Sequence, residues 1–160
     1  MQTAPTTYQA VKGLERYGYE EYAATEKYLT GMAAVFRQTG TVWENYAPDF
    51  HERGSQSKGD FVGWTGCGPI ALLFENVMGL RPNAIRNRLQ WRLRRLDRHG
   101  VERLTIGKTT LTLLCDKRAA ADAPAVLTLE TDKPFEIEVV HPKGTKKIEL
   151  KPGRATVTVP

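Results

Sequence analysis

A chain of 160 residues, 41% hydrophobic and 26% charged, has ordinary globular composition, enough for one core or parts of two domains, which excludes a disordered or low-complexity polypeptide. No apolar run nears the ~20 residues that span a bilayer, and the start lacks a basic-then-apolar leader, so no membrane partner is expected. The formal charge of +5 is uneven, because residues 1–80 carry six Lys/Arg and nine Asp/Glu, and residues 81–160 seventeen and nine.

In chain order, Pro5 with Thr6 and Thr7 as candidate caps precedes Tyr8, Val11 and Leu14 at helical spacing, with Gly18 as the stop. From Tyr19 the pattern resumes, with Tyr22, Leu29, Met32, Ala33 and Phe36 on one face until Gly40, which predicts a helical hairpin. Residues 41–63 lack a period and contain Pro48, Gly54, Ser55, Ser57 and Gly59, the signature of a long loop of the kind that carries function. Pro69 restarts a helix with Ile70, Leu73, Phe74 and Val77 as its buried face and Gly79 as its end.

After Pro82 the period falls to two. Leu89, Trp91 and Leu93 alternate with Arg88, Gln90, Arg92 and Arg94, which suits a strand with one wet face, although Leu89, Leu93 and Leu96 also fit a helical turn. Residues 101–106 and 110–115 flank a turn at Gly107-Lys108, and further strands are predicted at 126–131, 135–141, 146–150 and 155–159, a spacing that indicates a small β-sandwich.

Several chemistries have no foothold. Gly107-Lys108-Thr109 ends like a phosphate loop, but Glu102 occupies the required upstream glycine position. His51, His99 and His141 are scattered singly, and Cys67 and Cys115 lack metal-type spacing, so no metal or cofactor is expected and both thiols read as buried. Eight arginines between Arg81 and Arg103 alternate with apolar residues as a solvated strand face does, and apart from Trp91 no aromatic there supports base stacking, so nucleic acid is not the expected partner.

Twelve of the fourteen Phe, Trp and Tyr residues precede residue 81, which places a neutral-sugar site in the acidic first half. There Thr41-Val42-Trp43-Glu44-Asn45-Tyr46-Ala47-Pro48 sets one carboxylate between aromatics and an amide. Glycosidic bonds are split by carboxylates in pairs, while rings and amides hold pyranose faces and hydroxyls. Together with Gly59-Asp60-Phe61-Val62-Gly63-Trp64-Thr65-Gly66 and a helix opening at Gly68-Pro69-Ile70, this stretch resembles the trehalase and processing α-glucosidase group of six-hairpin glycosidases. It is most similar to bacterial members of glycoside hydrolase family 63, the mannosyl-oligosaccharide glucosidase-like enzymes. Ala4-Pro5-Thr6-Thr7-Tyr8, Lys12-Gly13-Leu14 and Tyr17-Gly18 look like the helix before the base-bearing hairpin of that group, and the resemblance covers roughly residues 3–118.

The resemblance implies an α+β chain, with residues 1–82 the C-terminal portion of an (α/α)6 barrel carrying the base motif and residues 83–160 a small antiparallel β-sandwich. It assigns Glu44 as the general base of an inverting reaction, a role that requires an ionised carboxylate in a polar, partly solvated setting. Trp43, Tyr46, Phe61 and Trp64 would wall the sugar, with Asn45 and Gly63 also in the binding set, although each ring taken singly is equally at home in a core. Asp60 either bonds a sugar hydroxyl or caps the loop. The group's general acid comes from an earlier hairpin, and none of Asp49, Glu52 and Asp60 has its motif context. The expected function is that of a C-terminal fragment of an inverting glycoside hydrolase for α-glucosides or α-linked oligosaccharides, partnered by a missing N-terminal barrel segment and inactive alone. The alternatives are a non-catalytic carbohydrate-binding or scaffold remnant and a basic nucleic-acid interaction module. Nothing in the sequence assigns a compartment.

Overall fold

The computed structural model describes residues 2–19, 21–59 and 62–160, and of residues 2–5 and 64 it describes the backbone. The chain divides into two compact units, Met1–Val77 and Met78–Pro160.

The first unit carries helices α1 (Ala4–Arg16), α2 (Tyr22–Thr39) and α3 (Cys67–Leu72), with a two-stranded ribbon of β1 (Gln2–Thr3) against β2 (Asn45–Tyr46). Helix α2 ends where Gly40 turns left-handed (φ 74°) and its N–H donates to the Phe36 carbonyl at 2.7 Å. Its buried face is Thr25, Met32 and Val35, whereas Phe36, expected on that face, is 49% exposed. Thr25 can sit inside because its hydroxyl donates to the Glu21 carbonyl at 2.7 Å, so burial strands no polar group. Helix α3 continues into a π-helical turn (Leu73–Val77). Leu72, Asn76 and Val77 are buried, Val77 as expected, whereas Ile70 and Leu73, also expected inside, are 61% and 44% exposed. Between α1 and this turn, Lys12 Nζ lies 2.6 Å from Glu75 and donates to Asn76 Oδ1 at 2.9 Å, which neutralises a partly buried charge.

These features correct the expected barrel. The chain is mostly strand, a small α+β fold, and its three helices of 13, 18 and 6 residues do not form a portion of an (α/α)6 barrel. The described residues between α2 and the 3-10 turn at Gly63–Gly66 are not helical, and six residues of α3 span less than two turns. A barrel layer needs paired helices long enough to carry a continuous apolar stripe, and that stripe is interrupted here.

The second unit holds two four-stranded sheets. One runs β10-β7-β6-β5, from β5 (His99–Ile106), β6 (Thr109–Cys115), β7 (Ala125–Thr131) and β10 (Gly153–Val159). The other runs β3-β4-β8-β9, from β3 (Leu80–Asn83), β4 (Arg88–Arg92), β8 (Phe135–His141) and β9 (Gly144–Leu150). The strands fall where the period of two places them. Leu111, Leu113, Leu127 and Leu129 of one sheet and Leu89, Trp91, Ile137 and Val139 of the other are fully buried, so each sheet has one dry face. Trp91 donates from Nε1 to the Met78 carbonyl at 3.1 Å and meets the His99 ring edge-on at 6.0 Å. Arg118, 4% exposed, donates to the carbonyls of Leu93, Arg95 and Ala121 at 3.0, 2.8 and 2.7 Å, closing chain ends that lack strand partners.

The expectation of an all-antiparallel sandwich is also corrected, because β4 and β8 pair in parallel, Leu89 opposite Ile137 and Trp91 opposite Val139. The β5-β6-β7 meander belongs to the other sheet, so the chain returns to β4 running in its direction. Of the two thiols expected to be buried, Cys115 is buried and Cys67 is exposed.

His99 makes this unit sensitive to acid. Its Nδ1 carries the proton toward the Asp97 carbonyl at 2.8 Å, and its Nε2 is buried with no partner among the described residues. Burial holds the imidazole below its ordinary value of 6.5, against the pull of the Asp97 carbonyl and carboxylate, and the Arg95 and Arg118 charges add to the depression. Below that ordinary value the unfolded chain binds a proton that the folded chain refuses, so stability present above 6.5 is lost as pH falls toward the depressed value. The melting temperature of the second unit is expected to drop between about pH 7.5 and 5, and His99→Gln is expected to flatten that slope.

Candidate functional site

The loop after α2 is anchored at almost every residue around Glu44. Trp43 is 8% exposed, and its indole Nε1 donates to Thr39 Oγ1 at 2.9 Å, a hydroxyl supplied by the last residue of α2. Its backbone N–H donates to the Tyr46 phenol oxygen at 3.0 Å. Both rings pack with Met32 and Val35 of α2, and the Arg53 guanidinium lies 5.2 Å from the indole centroid. Burial raises the Tyr46 phenol pKa and pushes that of Tyr28 beside it up to about 12, a shift that the Thr7 hydroxyl partly opposes.

Asn45 is fixed through its main chain. Its N–H donates to Ser57 Oγ at 3.1 Å, and its carbonyl accepts from Ser57 Oγ at 2.9 Å and from the Gly54 N–H at 2.8 Å. The backbones approach so closely that a Cβ on Gly54 would stand 2.9 Å from Asn45 Cβ and 3.2 Å from its carbonyl carbon. Gly54→Ala is therefore expected to cost about 1–3 kcal/mol in urea unfolding, from overpacking against backbone that cannot retreat.

Glu44 sits between these two anchors. Its carbonyl accepts from Thr65 Oγ1 at 2.7 Å, and Thr65 is fully buried. Glu44 itself is half-buried, and among the described residues no hydrogen bond or ion pair engages its carboxylate. The result is a main chain fixed by hydrogen bonds that carries an acid group unengaged among the described residues.

The expected site residues divide accordingly. Trp43, Asn45 and Tyr46 are brought together, with both rings turned into the core. Gly63 opens the 3-10 turn that delivers Thr65, and the Trp64 backbone lies in that turn. Asp60, Phe61 and the Trp64 side chain lie outside the described residues. Sequence reasoning missed Thr39, Ser57 and Thr65, the three hydroxyls that hold the loop. The available signals were a threonine one place before the helix-ending Gly40, Thr65 beside Gly66, and Ser57 between Gly54 and Gly59 in an otherwise aperiodic segment.

Among the described residues no three His, Cys, Asp or Glu side chains gather to hold a metal, and no helix is long and apolar enough to cross a membrane. On the wet face of the second unit, Arg88 of β4 stands beside Glu136 of β8, and Gln90 donates to Glu138 at 3.1 Å. The arginine-rich strand is thus bordered by carboxylates. No family model, curated protein or solved structure matches the chain, so the glycosidase resemblance rests on the sequence motifs between residues 4 and 70 alone.

Proposed function

We propose that this chain is the base-bearing part of an inverting glycoside hydrolase acting on α-glucosides or α-linked oligosaccharides, similar in its motifs to the trehalase and processing α-glucosidase group. The observation that carries the reading is the mount of Glu44: its carbonyl and both neighbouring residues are tied down, while its carboxylate is unengaged among the described residues. A general base needs such placement, because it must hold a water at one face of the anomeric carbon with little freedom to stray. In the reaction Glu44 takes a proton from that water as its oxygen bonds to the anomeric carbon. The bond to the leaving oxygen breaks on the opposite face, and that oxygen is protonated by an acid supplied from outside this chain. The reading does not depend on a helical barrel. It is tested by following the first-formed anomer by NMR when the chain acts together with the acid-bearing polypeptide. Inverted product is expected, and retained configuration would remove Glu44 from the role of base.

A second reading has one observation in its favour. Trp43 and Tyr46 are buried in the core of the first unit, which withdraws two of the expected sugar walls. A non-catalytic carbohydrate-binding chain would use other surfaces and leave Glu44 idle. The basic nucleic-acid module receives less support, since phosphate-binding arginines would be bordered by Glu136 and Glu138.

A further inference from the structure

A cleft of about 500 Å³ opens between α2 and the segment 46–51, and Glu44 is not among the residues that line it. We infer that this cleft is a separate sugar subsite, in which a glucose unit of an α-linked oligosaccharide stacks on Phe50 with its hydroxyls toward Asp49, His51 and Lys27. The inference rests on the carbohydrate reading of the chain and adds a binding place that this reading does not contain.

Size, lining and presentation support it. The volume lies within the roughly 300–1,000 Å³ of small-molecule pockets. Beneath the cleft lie Met32, Val35 and Tyr46 of the core cluster, an apolar backing nearly closed to solvent, so the sugar contacts fall to the outer residues. The Phe50 ring is 70% exposed, an unfavourable placement for an aromatic with no partner. The turn that presents it is fixed, because the Ala47 N–H donates to the Glu52 carbonyl at 3.0 Å and the Glu52 N–H to the Phe50 carbonyl at 2.9 Å. Opposite, Gly31 allows the His51 ring close to the helix, since a Cβ at that position would lie 3.4 Å from His51 Cδ2.

The lining also selects the ligand class. An aromatic face beside a carboxylate, an ammonium and an imidazole matches a molecule with one apolar face and a rim of neutral hydroxyls, as a pyranose has. A wholly apolar ligand would desolvate Lys27 and Asp49 without compensation, and with one charge of each sign the lining offers an anion no net attraction.

The test is a titration of the isotope-labelled chain with maltose and maltotriose, read by NMR. Saturable shifts are expected at Gly31, Phe50 and His51. Phe50→Ala should weaken binding about fivefold or more, the loss of about 1 kcal/mol of aromatic stacking. Gly31→Leu fills the cleft with a side chain that also crowds His51, so it should abolish the shifts while circular dichroism stays unchanged. Absence of saturable shifts, or shifts indifferent to both substitutions, would overturn the subsite. Shifts confined to Glu44 and Thr65 would also overturn it and leave the base assignment standing. Cleft shifts in a chain whose acid-complemented reaction retains configuration would uphold the subsite and remove the base.

Discussion

Glu44→Gln is expected to lower glycoside turnover by about 10²–10⁴-fold in the acid-complemented protein, with substrate affinity nearly unchanged. The amide keeps the shape and size of the side chain, and the anchors around it are main-chain contacts, through Thr65, Ser57 and Tyr46, that do not involve the carboxylate. Only proton removal from the attacking water is lost, so the effect should fall on kcat and leave KM in place. Glu44→Asp, one methylene shorter, should retain part of the rate because the group stays basic but withdraws from the water. The chain without its acid should not hydrolyse α-glucosides. Turnover by the purified chain that survives Glu44→Gln would defeat the assignment.

The largest expected effect on stability belongs to Trp91. Its side chain is fully buried in β4, its Nε1 holds the Met78 carbonyl, and its ring meets His99 across the two sheets. Trp91→Ala removes the largest buried side chain of the second unit and leaves both a cavity and an unpaired carbonyl, so the expected loss is about 3–5 kcal/mol. That is a large share of the roughly 5–15 kcal/mol that holds a domain together, and the second unit should unfold at much lower urea. Trp91→Phe keeps most of the apolar volume and should recover most of the loss. A cost below about 1 kcal/mol for Trp91→Ala would mean that the interior between the sheets is organised around other side chains.

The second unit was far more legible in the sequence than the first, for a physical reason. Leu111, Leu113 and Cys115 alternate with threonine and Leu114 because each strand of this sheet has one buried face, and a period of two survives whatever the partner strands are. Sheet order leaves no such trace. The parallel neighbourhood of β4 and β8 depends on which strands meet, not on the pattern within either. In the first unit the stripe ending at Phe36 pointed one position away from the true face, because a hydroxyl satisfied within its own helix made Thr25 an interior residue. The π-helical turn at Leu73–Val77 departs from the fixed 3.6-residue spacing on which its buried face was placed.

At the site, Glu44 stood out by chemistry, as an acid among rings and an amide. The use of those rings did not. An indole and a phenol written beside a carboxylate serve a ligand or a core equally well, and the choice depends on whether Met32 and Val35 come to meet them. The resemblance to a six-hairpin enzyme rests on local motifs, and closure of a barrel is not a local property.

The pairing of β4 with β8 also sets an order of assembly. The β3-β4 hairpin is complete by residue 92, yet its neighbour in the sheet begins only at Phe135, and the intervening β5-β6-β7 meander belongs to the opposite sheet. During synthesis the meander can pair strand by strand, while β4 waits with an open edge bearing Leu89 and Trp91 until some forty further residues have emerged. The arginines that alternate with these residues then act as gatekeepers, keeping a waiting hydrophobic edge from pairing with another copy of itself.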